Sequence, residues 1–238
     1  MRELPATSAF AADDGSADPR LSAALAVHGT RGEALVEVVT ALAAARVLVP
    51  VLTEQAPEPV VEQAAGHRAH AAAGIVALRT PDGRTALPVF SSVATMAAWR
   101  RDARPMPSEA SRAAAAALGE GWEVLVLDPG GPVTVLVPRP AVVALARGEL
   151  WSPAVQGGAI DGVVRAALLA ALSGVAHVVG AEVEPGRRAE VTVVLGLAPG
   201  LDRSGLDAVL AAVNAALAAD AVVAARVDSL ELRVSAAG

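Results

Sequence analysis

The sequence predicts an α+β protein: a mixed or antiparallel sheet carrying helices, divided into an N-terminal domain (1–150) and a smaller C-terminal αββαβ unit (160–238). Three observations lead there. Apolar residues recur in two alternating registers, one with helical spacing (Leu35, Val38, Val39, Leu42) and one as short β-type runs (Val47-Leu48-Val49). Two turn signals, Pro81-Asp82-Gly83 and Asp128-Pro129-Gly130-Gly131-Pro132, stand between β-type runs close enough to make hairpins. The 238 residues are 54% hydrophobic, enough for a real core without staples.

Residues 1–20 are acidic and small, and read as an arm. A short helix is expected over 21–27. Thr30-Arg31-Gly32-Glu33 has capping-box spacing for a helix running to about residue 46. Residues 47–52 follow as a strand, and Pro50 argues for an edge strand or a bulge. Residues 54–72 read as a flexible insertion. Strands at 74–79 and 85–90 flank the first turn. Ser91-Ser92 then offers an N-cap for a helix through Trp99 and Arg101.

Pro105 and Pro107 are expected to break the chain, with Ser108 capping an alanine-rich helix over 109–118. Strands at 122–127 and 133–137 make the second hairpin. Pro140 suits the first turn of a helix that ends at Gly148. Residues 151–159 read as a linker. Beyond it come a helix at 161–172, strands at 175–183 and 190–197, a helix from Asp202 or Ser204 to about 219, and a strand at 226–234. No internal repeat at a solenoid period is visible.

Composition excludes several classes of function. There is no Cys, hence no disulfide, thiolate metal site, Fe–S cluster or Cys nucleophile. All 19 basic residues are Arg, so neither a Schiff-base lysine nor a P-loop lysine exists. The net charge is −6, and Phe10, Phe90, Trp99, Trp122 and Trp151 are the whole aromatic complement. That balance speaks against nucleic-acid binding. The apolar runs are too short and too interrupted to span a bilayer, and the start lacks a signal-peptide core. The expectation is a cytoplasmic protein with no membrane partner and no cofactor.

Three stretches carry a resemblance. Phe10-Ala11-Ala12-Asp13-Asp14-Gly15 resembles the N-terminal acidic signature of the SseB family, of the actinobacterial type. The run from Thr80-Pro81-Asp82-Gly83-Arg84 through Pro88-Val89-Phe90-Ser91-Ser92 to Trp99-Arg100 is similar to the centre of that family's N-terminal domain. Leu201-Asp202, Ala219-Asp220 and Arg226-Val227-Asp228-Ser229-Leu230-Glu231-Leu232 look like its C-terminal unit. The resemblance implies an SseB-like domain followed by an SseB C-terminal-like unit. The family takes its name from a serine-sensitivity phenotype, and the resemblance brings no catalytic residues with it.

The chemistry-bearing residues read mostly as caps, turns and solvated faces. His67-Arg68-Ala69-His70 has metal-ligand spacing but loop composition. His28 and His177 are isolated, His177 within an apolar strand run, and no Gly-x-Ser-x-Gly elbow is present. Glu33 and Glu37 sit opposite an apolar stripe. Asp13, Asp14 and Asp18 do not meet the Ca²⁺-loop pattern; they read as an acidic arm able to dock on arginines of another subunit. Gly130-Gly131 and Gly157-Gly158 are not dinucleotide fingerprints. The best candidate surface is Trp99 with Arg100, Arg101 and Arg104, joined by Arg112 across the Pro105–Pro107 turn. Against it stands a core Trp followed by cations that a helix C-terminus favours.

The reading is therefore a non-enzymatic interaction or regulatory protein, with catalytic, metal and cofactor residues expected to be none. An unknown protein or self-association through sheet edges or helix faces would supply the partner. The alternative is a module that binds a small anionic ligand through the arginine cluster.

Overall fold

A computed structural model describes residue 10 and residues 13–31, 34–52, 70–72 and 75–236. The chain divides into two compact units, Met1–Trp151 and Ser152–Gly238.

The first unit contains α1 (Pro19–Arg31), α2 (Leu35–Ala44), β1 (Arg46–Val51), β2 (His70–Ala72), β3 (Ile75–Arg79), β4 (Thr85–Val89), α3 (Val93–Trp99), β5 (Arg104–Glu109), α4 (Ala110–Gly119), β6 (Val124–Leu127), β7 (Val135–Val137) and α5 (Arg139–Arg147). Among the described residues its strands form one seven-stranded sheet in the order β5-β1-β3-β4-β6-β7, with β2 paired to β3. The sheet is mixed. Neighbours run antiparallel, but β4 and β6 run parallel, with Val89 beside Leu127. The α+β class is thus the one the sequence predicts.

Strand alternation divides the apolar residues between two faces. Val47 and Val49 of β1, Leu87 and Val89 of β4, and Leu125 and Leu127 of β6 join a core with α1, α2, α4 and α5. Leu78, Ala86, Val124 and Val126, with Leu48, Phe90 and Met96, fill the other face beneath Trp99. Alanine suits α4: Ala110, Ala113, Ala114 and Ala117 are all buried, and small contact residues let helices pack closely.

Local chemistry explains the expected turns. Gly83 donates to Thr80 O at 2.8 Å and Thr80 to Arg84 O at 2.9 Å, while Gly83 takes φ +88°, the left-handed step of a longer hairpin loop. The Asp82 carboxylate loses solvent there, which raises its pKa. Hydrogen bonds from Thr80 and Arg84 outweigh that and hold it below the ordinary range. α5 starts with Pro in its first turn and stops at Gly148, φ +67°.

Several expectations need correction. Thr30 does not cap α2: it lies in the last turn of α1, where its hydroxyl donates to Val27 O at 2.9 Å. The cap position of α2 is Ala34; Glu33 lies outside the described residues. Ser108 does not cap α4 either, because Glu109 holds that position and Ser108 is paired in β5.

The third correction concerns the prolines. Pro105 and Pro107 make no break; they belong to β5, which pairs antiparallel with β1 through Pro50↔Pro105 and Leu48↔Pro107. β5 is an edge strand. A proline cannot donate, so the bonded pairs are those at Met106, Arg104 and Ser108, and both prolines turn their missing N–H outward. They close that edge to further pairing. Pro50 sits in a strand with neighbours on both sides, not at an edge. Its missing donor falls between the Leu48–Phe90 bridge and the Val51–Ile75 pair.

The second unit contains β8 (Val155–Gln156), β9 (Ala159–Ile160), α6 (Gly162–Leu172), β10 (Val178–Pro185), β11 (Val191–Leu197), α7 (Arg203–Ala219), α8 (Ala221–Arg226) and β12 (Leu230–Ala236). β10 pairs antiparallel with β11, and β11 parallel with β12. Residues expected as a linker are packed instead. Gly157 and Gly158, at φ +57° and +74°, turn the β8–β9 hairpin, and Ala154 is fully buried. Asp161, Asp202 and Asp220 cap α6, α7 and α8 through their carboxylates. Glu190 accepts from Asp228 N at 2.8 Å and Ala154 N at 3.3 Å, and burial pushes its carboxyl up.

Candidate functional site

The parallel pairing of β4 and β6 brings two distant segments together. Both strands finish at the same end of the sheet, so the residues that follow them, Ser91 and Asp128, become neighbours. Asp128 is 3% exposed and holds φ +49°. Asp tolerates that left-handed conformation better than most residues. Its carboxylate accepts from Ser91 N at 2.8 Å and from Ser91 Oγ at 2.6 Å. Its own N–H donates to Val89 O at 2.9 Å, and its carbonyl accepts from Gly131 N at 3.0 Å and Thr134 Oγ1 at 2.9 Å.

Arg46, at the start of β1, extends this network. Its Nη1 donates to Ser91 O at 2.9 Å. Its Nη2 donates to Asp13 at 2.5 Å and to Ser16 O at 2.7 Å. The acidic arm thus docks on Arg46 of its own chain. Val93 N donates to Gly15 O at 2.9 Å, and a Cβ at Gly15 would meet Val93 Cγ2 at 2.7 Å. That close approach, with φ +79°, explains the glycine. Phe10, Asp13, Asp14, Asp18 and Arg46 line an open hollow of about 360 Å³.

The arm has a pH signature. The Arg46 hydrogen bond holds the Asp13 carboxyl below its ordinary value; burial opposes it, and the Gly15 N–H adds to it. A lowered folded pKa contributes stability above about pH 3.9, the ordinary aspartate value, and loses it as pH falls through the folded value. NMR titration of the Asp13 carboxyl is expected to show a midpoint below the ordinary value, returning to it in Arg46→Ala. Equal midpoints in the two chains would exclude the latch.

The arginine surface lies beside this network. Ser92 caps α3, accepting from Thr95 N at 3.1 Å, and Thr95 Oγ1 accepts in return from Ser92 N at 3.3 Å. α3 ends at Trp99, whose ring lies 5.2 Å from that of Phe90, tilted by 39°. Trp99 is half-buried, with Ala97, Ala98 and Arg101 around its open side. Arg100 is committed to Asp102 through Nε at 3.0 Å and Nη2 at 2.7 Å, and that pairing lowers the Asp102 pKa. Arg101 and Arg104 are exposed, with no ion-pair partner among the described residues.

The turn expected to bring Arg112 to them is absent. With no turn at Pro105–Pro107, β5 runs extended between Arg104 and Glu109, about 16 Å at the usual strand rise. Arg112 follows on α4, where it is exposed.

The remaining candidates do not converge. His177 is exposed in a turn at φ +67° rather than partly buried in a strand. His28 is half-buried on α1, with Nδ1 unpartnered. Neither imidazole bonds to Ser91 or Asp128. His67 and Arg68 lie outside the described residues, as does most of 54–72; His70 begins β2. Glu37 is exposed on α2. Among the described residues no three His, Asp or Glu side chains gather to hold a metal ion. Sequence reasoning missed the Ser91–Asp128 pair. Its one signal was an Asp in a Pro-Gly-Gly turn directly after a buried strand.

Sheet, helical layers and closed polar network together define an α+β protein built of a mixed-sheet domain followed by a second α+β unit. The profile described as SseB protein N-terminal domain matches residues 21–144, just over half of the chain. The chain belongs to the SseB family, and the matched span contains the whole seven-stranded sheet. No curated protein and no solved structure gives a significant match. No helix among the described residues is long and apolar enough to cross a membrane.

Proposed function

We propose that this SseB-family chain works by binding, as a non-enzymatic interaction or regulatory protein of the cytoplasm. One observation carries the reading. The hydroxyl, carboxylates and guanidinium that do converge, in Ser91, Asp128, Asp13 and Arg46, are consumed by hydrogen bonds to one another and to backbone. A nucleophilic serine needs a base free to take its proton; here the Ser91 hydroxyl donates to a buried carboxylate that also holds Ser91 N. That arrangement supports a structural role, locking the ends of β4 and β6 behind the Trp99 surface. A broad hydrolase and transferase screen of the full chain tests it. Turnover abolished by Ser91→Ala in a folded protein would overturn the reading.

A second reading is an anion-binding module, favoured by Arg101 standing exposed beside Trp99 and by Arg104, exposed three residues on. A thermal-shift screen against phosphates, nucleotides and amino acids, serine included, separates the two. A stabilising hit lost in Arg101→Ala supports the module. Silence across the screen leaves a protein partner as the better account.

A further inference from the structure

We infer that β12 is a self-complementary edge through which two copies of this chain pair. The inference deepens the binding role by naming one partner, a second copy of the chain.

β12 is the outer strand of its sheet, with β11 as its neighbour. The ladder fixes which groups remain open. Val191 N donates to Ser229 O at 3.2 Å, in a parallel register with Val191 beside Leu230 and Val193 beside Leu232. Alternation then turns the backbone of Glu231 and Arg233 toward β11. It turns the N–H and C=O of Leu230, Leu232 and Val234 outward. This edge lacks the protection that β5 has: residues 230–236 include no proline, lysine or register shift. Val234 is 50% exposed although it lies on the face that carries Leu230 and Leu232 into the core.

The sequence Leu230-Glu231-Leu232-Arg233-Val234 reads as a charge palindrome about Leu232. In antiparallel pairing with the two-fold axis at Leu232, Leu232 meets Leu232 of the second copy, and Leu230 meets its Val234. Both are bonded pairs between outward-facing backbones. Glu231 then faces Arg233 of the second copy in the non-bonded position, where side chains approach most closely. Two-fold symmetry supplies that ion pair twice. A slip of two residues one way sets Glu231 against Glu231, and the other way Arg233 against Arg233. The charges therefore select one register.

The result joins two three-stranded sheets into one and covers Val234. Within one chain Arg233 already reaches Glu184 across the open face at 3.3 Å, with both side chains more than half exposed. That contact competes for Arg233 without blocking the edge.

Sedimentation of the full chain over a wide concentration range tests the inference, with circular dichroism to check folding. The wild type is expected to dimerise, and salt to weaken the dimer. Arg233→Glu is expected to raise the dissociation constant about tenfold or more, by opposing like charges twice. Glu231→Arg combined with Arg233→Glu is expected to restore it. Val234→Pro, which removes an outward donor and leaves the β11 ladder intact, is expected to abolish pairing. Glu184→Gln, which releases Arg233, is expected to leave the dimer intact or tighter. A chain that stays monomeric throughout overturns the inference, as does a dimer that survives both Arg233→Glu and Val234→Pro. So does a folded double variant that fails to pair while Glu184→Gln pairs normally. Each of these results leaves the non-enzymatic reading standing, and turnover in the activity screen would leave the dimer standing.

Discussion

Asp128→Ala is expected to destabilise the N-terminal unit by about 3–5 kcal/mol, measured as a lowered urea midpoint with unchanged slope. Two hydrogen bonds to a charged acceptor disappear, each worth about 1.5–3 kcal/mol. The Ser91 N–H and O–H are left in a place closed to water: Ser91 is itself 3% exposed. Alanine also bears the left-handed backbone of that position, φ +49°, less well than aspartate does. Asp128→Asn keeps the shape and the backbone tolerance, and is expected to cost about 1–2 kcal/mol. Equal costs for the two variants would show that the carboxylate does not hold the strand ends together.

Phe90→Ala is the second large effect, also about 3–5 kcal/mol. Phe90 is fully buried between Leu48, Met96 and Trp99. Its backbone bridges β1 through Leu48, donating to Leu48 O at 2.9 Å and accepting from Leu48 N at 2.8 Å, so the strand contact survives while the ring is lost. The small cluster under α3 then keeps few large side chains, and Trp99 loses the ring it leans on. A red-shifted tryptophan emission is expected with the stability loss. Phe90→Leu, which restores most of the volume, should cost less than about 1.5 kcal/mol and leave the emission near that of the native chain. If Phe90→Ala left Trp99 emission unmoved, the Trp99 surface would not depend on this cluster. Phe90 and Ser91 are adjacent, so combining Phe90→Ala with Asp128→Ala should give less than the sum.

These effects meet at one place: the ends of β4 and β6 under the short helix that carries Trp99. Ser91–Asp128 and Phe90–Trp99 fix the position of α3 from below, and Arg46 fixes the acidic arm beside it. The surface of Ala97, Ala98, Trp99 and Arg101 is therefore held from beneath by buried contacts, the Trp99 ring on Phe90 among them.

Much of the architecture was legible because its causes are local. The Thr80–Arg84 loop closes on hydrogen bonds within five residues. α5 is bounded by a proline at its start and a glycine past its end. The unbroken apolar runs Val47-Leu48-Val49 and Val124-Leu125-Val126-Leu127 suit strands buried on both faces. The cap at Ser92 follows from its own side chain and that of Thr95.

What sequence reading got wrong depends on partners far along the chain. Pro105 and Pro107 read as breakers because a proline's local effect is to remove a donor. Only β1 alongside shows that the missing donors face outward, where nothing needs them. Arg112 was grouped with Arg101 by a turn that the strand replaces. Ser91 and Asp128, 37 residues apart, meet because β4 and β6 run parallel, and a parallel pairing leaves no turn in the sequence to announce it. The acidic arm found Arg46 in its own chain, 33 residues away. Helix ends, hairpins and strand faces were thus set by the chain's neighbouring residues, through hydrogen bonds and alternation. Which strands lie side by side, and so which polar groups are buried together, was decided by the tertiary structure, because only burial of the shared apolar faces selects among distant partners.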